Sequence, residues 1–483
     1  MAAKAVLRAE SDEGVTHQLC SWVDGLTLDD IPEDLKTRAK YLMLDGFGCA
    51  IVGAHLPWTE KAVSIVLDME PAGDCLVWGY GKKIGPLPAA LLNSTEVQSF
   101  ELDDWHSLAP VHANSIMLPA LLAAASQQKA RGNAVVTGSN LLLSTIVGYE
   151  VGPRVGLCLY GSHMLTRGWH SGPIFGHAAC AASVGKLLDL STEAIEDAVG
   201  IACTQACGLM SAQFSSEAKR MQHGFAARNG LFAALLAKGG YSGIKRVFEE
   251  PYGGFLSAFG EGSGKEPPYL ADELVKGLGK TWQTEAIRVK PHASMAGTHC
   301  TIDTVAGLQK DHPEELENLT SIVNIKIEMS EAAFKHGGWT ATRPLTATGA
   351  QMSCAYVAAT QLVDGQVLPQ QFHRDLLNRD SIWKLVERTE CHYTPELGQK
   401  FEQRVTITFN DGSSISKTLD APTGVDPPLS NEEILTKFRT FTRGLIDNKR
   451  QEAIEKLVLG LEDLADVSVL DEVLAGLTLD PIA

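Results

Sequence analysis

No stretch of this chain approaches the roughly 20 consecutive apolar residues that a membrane-spanning helix needs, so no membrane partner is expected. Its ten cysteines are scattered, with no repeated short spacing, which argues against both a disulfide framework and a zinc ribbon. Cys203 and Cys207 are the nearest pair. On one helix they would share a face, where small buried thiols pack well, and packing accounts for them more simply than redox or metal work. Basic residues are also in short supply. Against 58 acids there are 41 Lys and Arg, giving a net charge of -17 and a pI near 5.3, which removes nucleic acid as a general partner. The first ten residues lack the apolar core of a signal peptide, and Glu10, Asp12 and Glu13 do not suit a mitochondrial presequence. A cytosolic address is expected. Nucleophile elbow, metal-ligand spacing, internal repeat and low-complexity linker are likewise missing, so the expectation is no metal and no cofactor.

What is present is a long chain, 483 residues with 45% hydrophobic content, enough for several domains around large cores. Helical spacing predicts helices over 35–52, 58–67, 88–97, 116–127, 140–155, 177–188, 191–210 and 224–237. They are rich in Ala, Leu, Gly and Ser, which favours close helix-on-helix packing. Between them, the GxGxxxG of Gly79 to Gly85 has the wrong spacing for a dinucleotide loop and reads as a turn. Near Thr281 the pattern changes. Beta-branched alternation marks strands at 285–290 and 322–329 and a hairpin over 401–419 turning at Asn410-Asp411-Gly412, with helices at 297–310 and 350–362 between them. From Asn431 the pattern is helical again. The fold class expected is mainly α, with an inserted α+β domain. One helical domain is built from 1–280 and 425–483, and a smaller domain from 281–424.

One stretch stands out chemically. Phe100-Glu101-Leu102-Asp103-Asp104-Trp105-His106, followed by Pro110-Val111-His112, sets three carboxylates and two imidazoles at the mouth of an apolar helix. Acids are seldom buried unless paired or used. The structural alternative is that Asp103 and Asp104 cap the next helix and His106 is a satisfied core imidazole.

Four more spots place polar groups among Gly and Ala. His170, in Gly168-Trp-His170, opens a helix, where an imidazole can hold or protonate an anion; it can equally be a half-buried entry residue. Lys219, Arg220 and His223 form a basic cluster entering another helix, for which a solvated face is the alternative. Alternation puts Arg288 and Lys290 on one side of a strand, where they could grip a carboxylate together, with His292 close behind. The Gly-rich run Lys335-His336 to Arg343 reads as a plain surface loop. Although the molecule is acidic overall, a cleft with these cations has its own local field. The combination describes a site for a polycarboxylate.

The sequence resembles the MmgE/PrpD family, which includes 2-methylcitrate dehydratase and cis-aconitate decarboxylase. The resemblance rests on Glu101-Leu-Asp-Asp, His106 and His112 before Ile-Met-Leu-Pro-Ala-Leu-Leu-Ala, and it runs from about Thr27 to Leu474. Gly168-Trp-His170, the run from Ile201 to Gln213, Ala218-Lys219-Arg, His223-Gly-Phe-Ala-Ala-Arg-Asn-Gly, Tyr252-Gly-Gly-Phe-Leu and Gly349-Ala-Gln-Met-Ser look most like the fungal cis-aconitate decarboxylase branch. This likeness implies a helical domain from both chain ends, an inserted lid, a homodimer, and an active site between the domains. It further implies a catalytic set of Glu101, His112, His170, Lys219 and Lys290. Asp103, Asp104, His106, Arg220, His223, Arg288 and His292 are expected to bind substrate. Trp105 stands where relatives have Thr, and Met295 where they have His or Cys.

The implied reaction is decarboxylation of cis-aconitate to itaconate; dehydration of a citrate-type substrate is the alternative. In cis-aconitate the departing carboxylate sits beside a double bond, so the substrate is its own electron sink. The protein need only supply cations and a proton.

Overall fold

The computed structural model describes residues 13–397 and 401–482; the leader over 1–12 lies outside them. Its centre is a stack of buried helices. Ser171–Leu187 packs against Gln222–Lys238 and Gly138–Cys158, and Pro86–Gln98 packs against Ala113–Ala130 and Glu33–Gly53. Small residues let these helices approach. A Cβ on Gly230 would lie 2.4 Å from Cys180 Cβ, and one on Gly176 would lie 2.3 Å from Ile116 Cδ1. Most of the spacing-based helices agree with the structure to within a few residues; the one expected from His177 already starts at Ser171, and two others differ in kind. Helix 191–210 stops at Cys203, so Cys203 is buried while Cys207 is exposed and the two do not share a helical face. The helix expected over 350–362 breaks at Met352, and Ser353 restarts it by accepting the Tyr356 N–H. Gly79 and Gly81 adopt positive φ in the turn joining Ala72–Val77 to Lys82–Ile84, which matches the reading of that segment as a turn.

The second region carries a four-stranded sheet. Ile322–Met329 lies between Thr389–Tyr393, to which it is parallel, and Gln403–Phe409, to which it is antiparallel; Ser414–Leu419 completes the edge. Helices Ala296–Asp311 and Cys354–Asp364 pack beside it. The parallel strand Thr389–Tyr393 escaped the sequence reading because its alternation is weak: partly buried and exposed residues are mixed along it.

Two features tie the acidic loop over 100–106 into the fold. The strand expected over 285–290 is only Ile287–Arg288, and it pairs with Trp105–His106. Helix Asn431–Thr442 returns to pack on Glu33–Gly53, and from it Lys437 pairs with Asp45 at 2.7 Å and donates to the Leu102 carbonyl at 2.7 Å. Both contacts brace the acidic loop from behind. Among the described residues no helix is long and apolar enough to cross a membrane.

Candidate active site

Glu101 is the hub. It is buried, with φ of +54°, a left-handed conformation that is costly for any residue but glycine. Its Oε1 accepts from Lys219 Nζ at 2.7 Å and from Arg220 at 3.0 Å, and its Oε2 lies 3.5 Å from Lys290 Nζ. Lys290 also reaches Asp103 Oδ1 at 3.3 Å. Burial alone would raise the Glu101 pKa, but the three cations outweigh it and hold this carboxyl well below its usual range. For Asp103, burial is likewise outweighed, by His112 and Lys290. Lys219 is pushed down by burial against the opposing pull of Glu101, while Lys290 is raised because Asp103 and Glu101 overcome its burial. Two carboxylates face three cations, which leaves the cluster with one excess positive charge.

Three imidazoles stack beside it. His223 lies 4.6 Å from His112 and 5.0 Å from His170, centroid to centroid. Gly172 makes room, since a Cβ there would meet His223 Nε2 at 2.5 Å. His112 Nδ1 donates to Asp103 Oδ2 at 3.0 Å. His170 Nδ1 donates to Gln222 Oε1, whose orientation is set because its Nε2 donates to the Leu209 carbonyl. His223 Nδ1 donates to Ser115 Oγ at 2.9 Å, because that hydroxyl itself donates to the His112 carbonyl. All three rings therefore carry Nδ1–H when neutral, and Nε2 of His112 and His170 is left to exchange a proton. Burial lowers the pKa of all three, with Lys219 adding to the effect at His170 and His112 adding to it at His223. Ring nitrogens of the three come within 4.8 Å of one another, close enough for one metal ion. However, both nitrogens of His223 already have partners in Ser115 and Gln98, and the donor set fits a hydrogen-bonded stack better.

His112 and His170 are the residues at the N-terminal caps of Ala113–Ala130 and Ser171–Leu187. Two positive helix ends therefore point toward the same place. That place is a cavity lined by Glu101, His112, His170, Lys219 and Lys290 on its charged side and by Trp105, Met295, Met352 and Phe401 on its apolar side.

The candidate residues divide cleanly. The five expected to be catalytic line the cavity; the seven expected to bind substrate do not. Asp103 lies behind His112 and Lys290. Asp104 accepts the N–H groups of Ala113 and Asn114, both at 3.0 Å, so it caps the helix, and burial with Asp103 beside it pushes its pKa up to about 8. His106 is a core imidazole accepting the Ala109 N–H. Arg220 is held by Glu101, Thr348 and Gln351 and lies 5.2 Å from the Trp58 ring centroid, and His223 packs behind the other imidazoles. Arg288 does not join Lys290: the strand ends before alternation can align them, and its guanidinium donates to the carbonyls of Val425 and Glu285. His292 is tied to Asp303 at 2.8 Å.

Residues missed in the sequence include Gln222, which orients His170, and Gln351, which ties Arg220 to the carbonyls of Phe100 and Ala293. Both lie inside or beside motifs already noted, but nothing in an amide's sequence position marks it as an anchor. His336 was missed too. It sits in helix Glu331–Gly337, not in a loop, and it lines the cavity.

Comparison with known proteins places the chain in a family. The MmgE/PrpD N-terminal domain matches residues 17–267 and the MmgE/PrpD C-terminal domain matches 292–463. The chain belongs to the MmgE/PrpD family. It is 48% identical over 469 residues to the cis-aconitate decarboxylase-like protein oryM of Aspergillus oryzae, covering 96% of this chain and 97% of that protein. Against the cis-aconitate decarboxylase of Aspergillus terreus it is 47% identical over 475 residues, with the same coverage. The human cis-aconitate decarboxylase is 26% identical over 476 residues, covering 96% of this chain and 95% of that enzyme.

Proposed function

We propose that this protein is a carboxy-lyase that converts cis-aconitate to itaconate and CO2. The observation that carries this reading is the single cavity onto which Lys219, Lys290, His112 and His170 converge with excess positive charge. The names of the relatives that match nearly the whole chain support it further.

The C–C bond to the CH2-bound carboxylate breaks, CO2 leaves, and the electron pair spreads through the allylic system onto the carbon beside another carboxylate. A proton added there gives itaconate. The balance is a trianion plus one proton going to a dianion plus CO2. Lys219 and Lys290 hold the carboxylates that stay, and their charge is set in a buried site where such stabilisation is strongest. His112 or His170 delivers the proton from Nε2. Burial favours the neutral form of both rings, and the charge of the arriving trianion favours a proton on one of them. Asp103, behind His112, favours that charged form.

In this reading residues 1–280 and 425–483 form the helical domain and 281–424 the lid over the cavity. The active form is a homodimer, to which the exposed Ile65, Met69 and Phe232 of the helical domain could contribute an apolar contact. The test is incubation with cis-aconitate in D2O. Released CO2 and itaconate with one deuteron on its saturated carbon support the proposal. Formation of a hydrated tricarboxylate without CO2 would point to the dehydratase chemistry of the family instead.

A further inference from the structure

Away from the charged groups around Glu101 the cavity is lined by further polar side chains, among them Ser162, His336 and Gln403. His336 belongs to helix Glu331–Gly337, whose other cavity residues are Ala332 and Ala333. It is 8% exposed, and its Nε2 is buried with no hydrogen-bond partner among the described residues. Gln403, which also lines the cavity, is already engaged: its amide accepts from Thr301 and donates to the Gly297 carbonyl. Lys335, next in sequence, points its charge to Glu331 at 2.7 Å and does not line the cavity. A buried nitrogen without a partner costs stability. On a cavity wall that cost has a use if the missing partner is a ligand.

We propose that His336 is a further substrate-contact residue, whose Nε2–H donates to a carboxylate of the bound polycarboxylate. This deepens the decarboxylase reading and rests on it. Burial, with Lys335 adding to it, lowers the His336 pKa to about 4. The ring is therefore neutral when it meets the substrate, and it adds direction to the grip without adding charge. The contact exists before and after the C–C bond breaks, so it acts on binding more than on the chemical step.

The test is steady-state kinetics and thermal unfolding of His336→Leu and His336→Gln beside the wild type. Leucine should raise KM by about ten- to a hundredfold, the worth of one hydrogen bond to a charged group, with kcat changed little. Its melting temperature should stay level or rise, because the unpaired nitrogen is gone. Glutamine keeps a donor and should recover most of the KM. A leucine variant that folds and keeps wild-type KM overturns the proposal. If leucine does not fold, His336→Ala carries the same two outcomes. Should the wild type make no itaconate, the reading of the activity fails. The contact is then judged separately, by whether cis-aconitate raises the melting temperature of the wild type more than that of the variant, and equal shifts overturn it.

Discussion

Among the buried ion clusters of the described residues, those at Glu150 and at Glu101 are built to opposite ends. In the helical core, Glu150 accepts the N–H groups of Gln283 and Thr284 and the Thr284 hydroxyl, and Arg154, 3.6 Å away, donates to the carbonyls of Lys276 and Thr281. One carboxyl meets one guanidinium, and apart from the Thr284 hydroxyl the surrounding polar groups are backbone. The cluster at Glu101 has two carboxylates against three cations, and two of those cations face a cavity. Burial of charge is common to both. The difference is surplus charge with open space beside it, and that difference separates a fastening from a site.

The contrast can be broken from either side. Arg154→Leu leaves Glu150 without its countercharge and should cost about 3–5 kcal/mol of stability, with turnover of the folded fraction unchanged. Denaturant unfolding and active-site-normalised rates measure this. Lys219→Ala should do the reverse: turnover falls at least about a hundredfold, roughly 3 kcal/mol of lost transition-state stabilisation. Its unfolding curve should stay close to wild type, since Glu101 keeps Arg220 and Lys290.

The imidazole stack sharpens the comparison through pH. His223 is held neutral by burial, with a folded pKa well below its ordinary value. The unfolded chain therefore takes up its proton first, near pH ~6.5, and the stability tied to the neutral ring is present above that pH and lost as pH falls below it. The stability advantage of wild type over His223→Gln should shrink as pH is lowered from 7.5 to 5.5, as read by paired unfolding curves. The smallest effect belongs to Asp104. With its pKa pushed up to about 8, its carboxyl is mostly protonated at neutral pH, so Asp104→Asn should cost about 1 kcal/mol as a cap change and leave turnover near wild type.

Much of this was legible in the sequence. Helical spacing in Leu- and Ala-rich segments located the core, because periodicity survives wherever one helix face is buried. Glu101, His112, His170, Lys219 and Lys290 were visible among a larger set because Glu, Lys and His stand out against Gly and Ala, and the family resemblance singled them out. What could not be read was orientation. Asp103 and Asp104 are neighbours with the same side chain, yet one holds an imidazole and the other a helix end. Arg288 and Lys290 are two residues apart, but the strand between them is too short to align them. His336 looked like a surface residue because its glycine neighbours suggested a loop, whereas Ser330 starts a helix that buries it.

The central claim is that the surplus charge at Glu101 exists to receive a trianion. Calorimetric titration with propane-1,2,3-tricarboxylate, which has no double bond to accept the electrons of departing CO2, tests this without turnover. Repeating the titration at pH 7.5 in two buffers of different ionisation enthalpy counts the protons moved. The account predicts proton uptake on binding, as a neutral imidazole becomes charged, and markedly weaker binding to Lys219→Ala. Binding with no proton uptake and no dependence on Lys219 would contradict it.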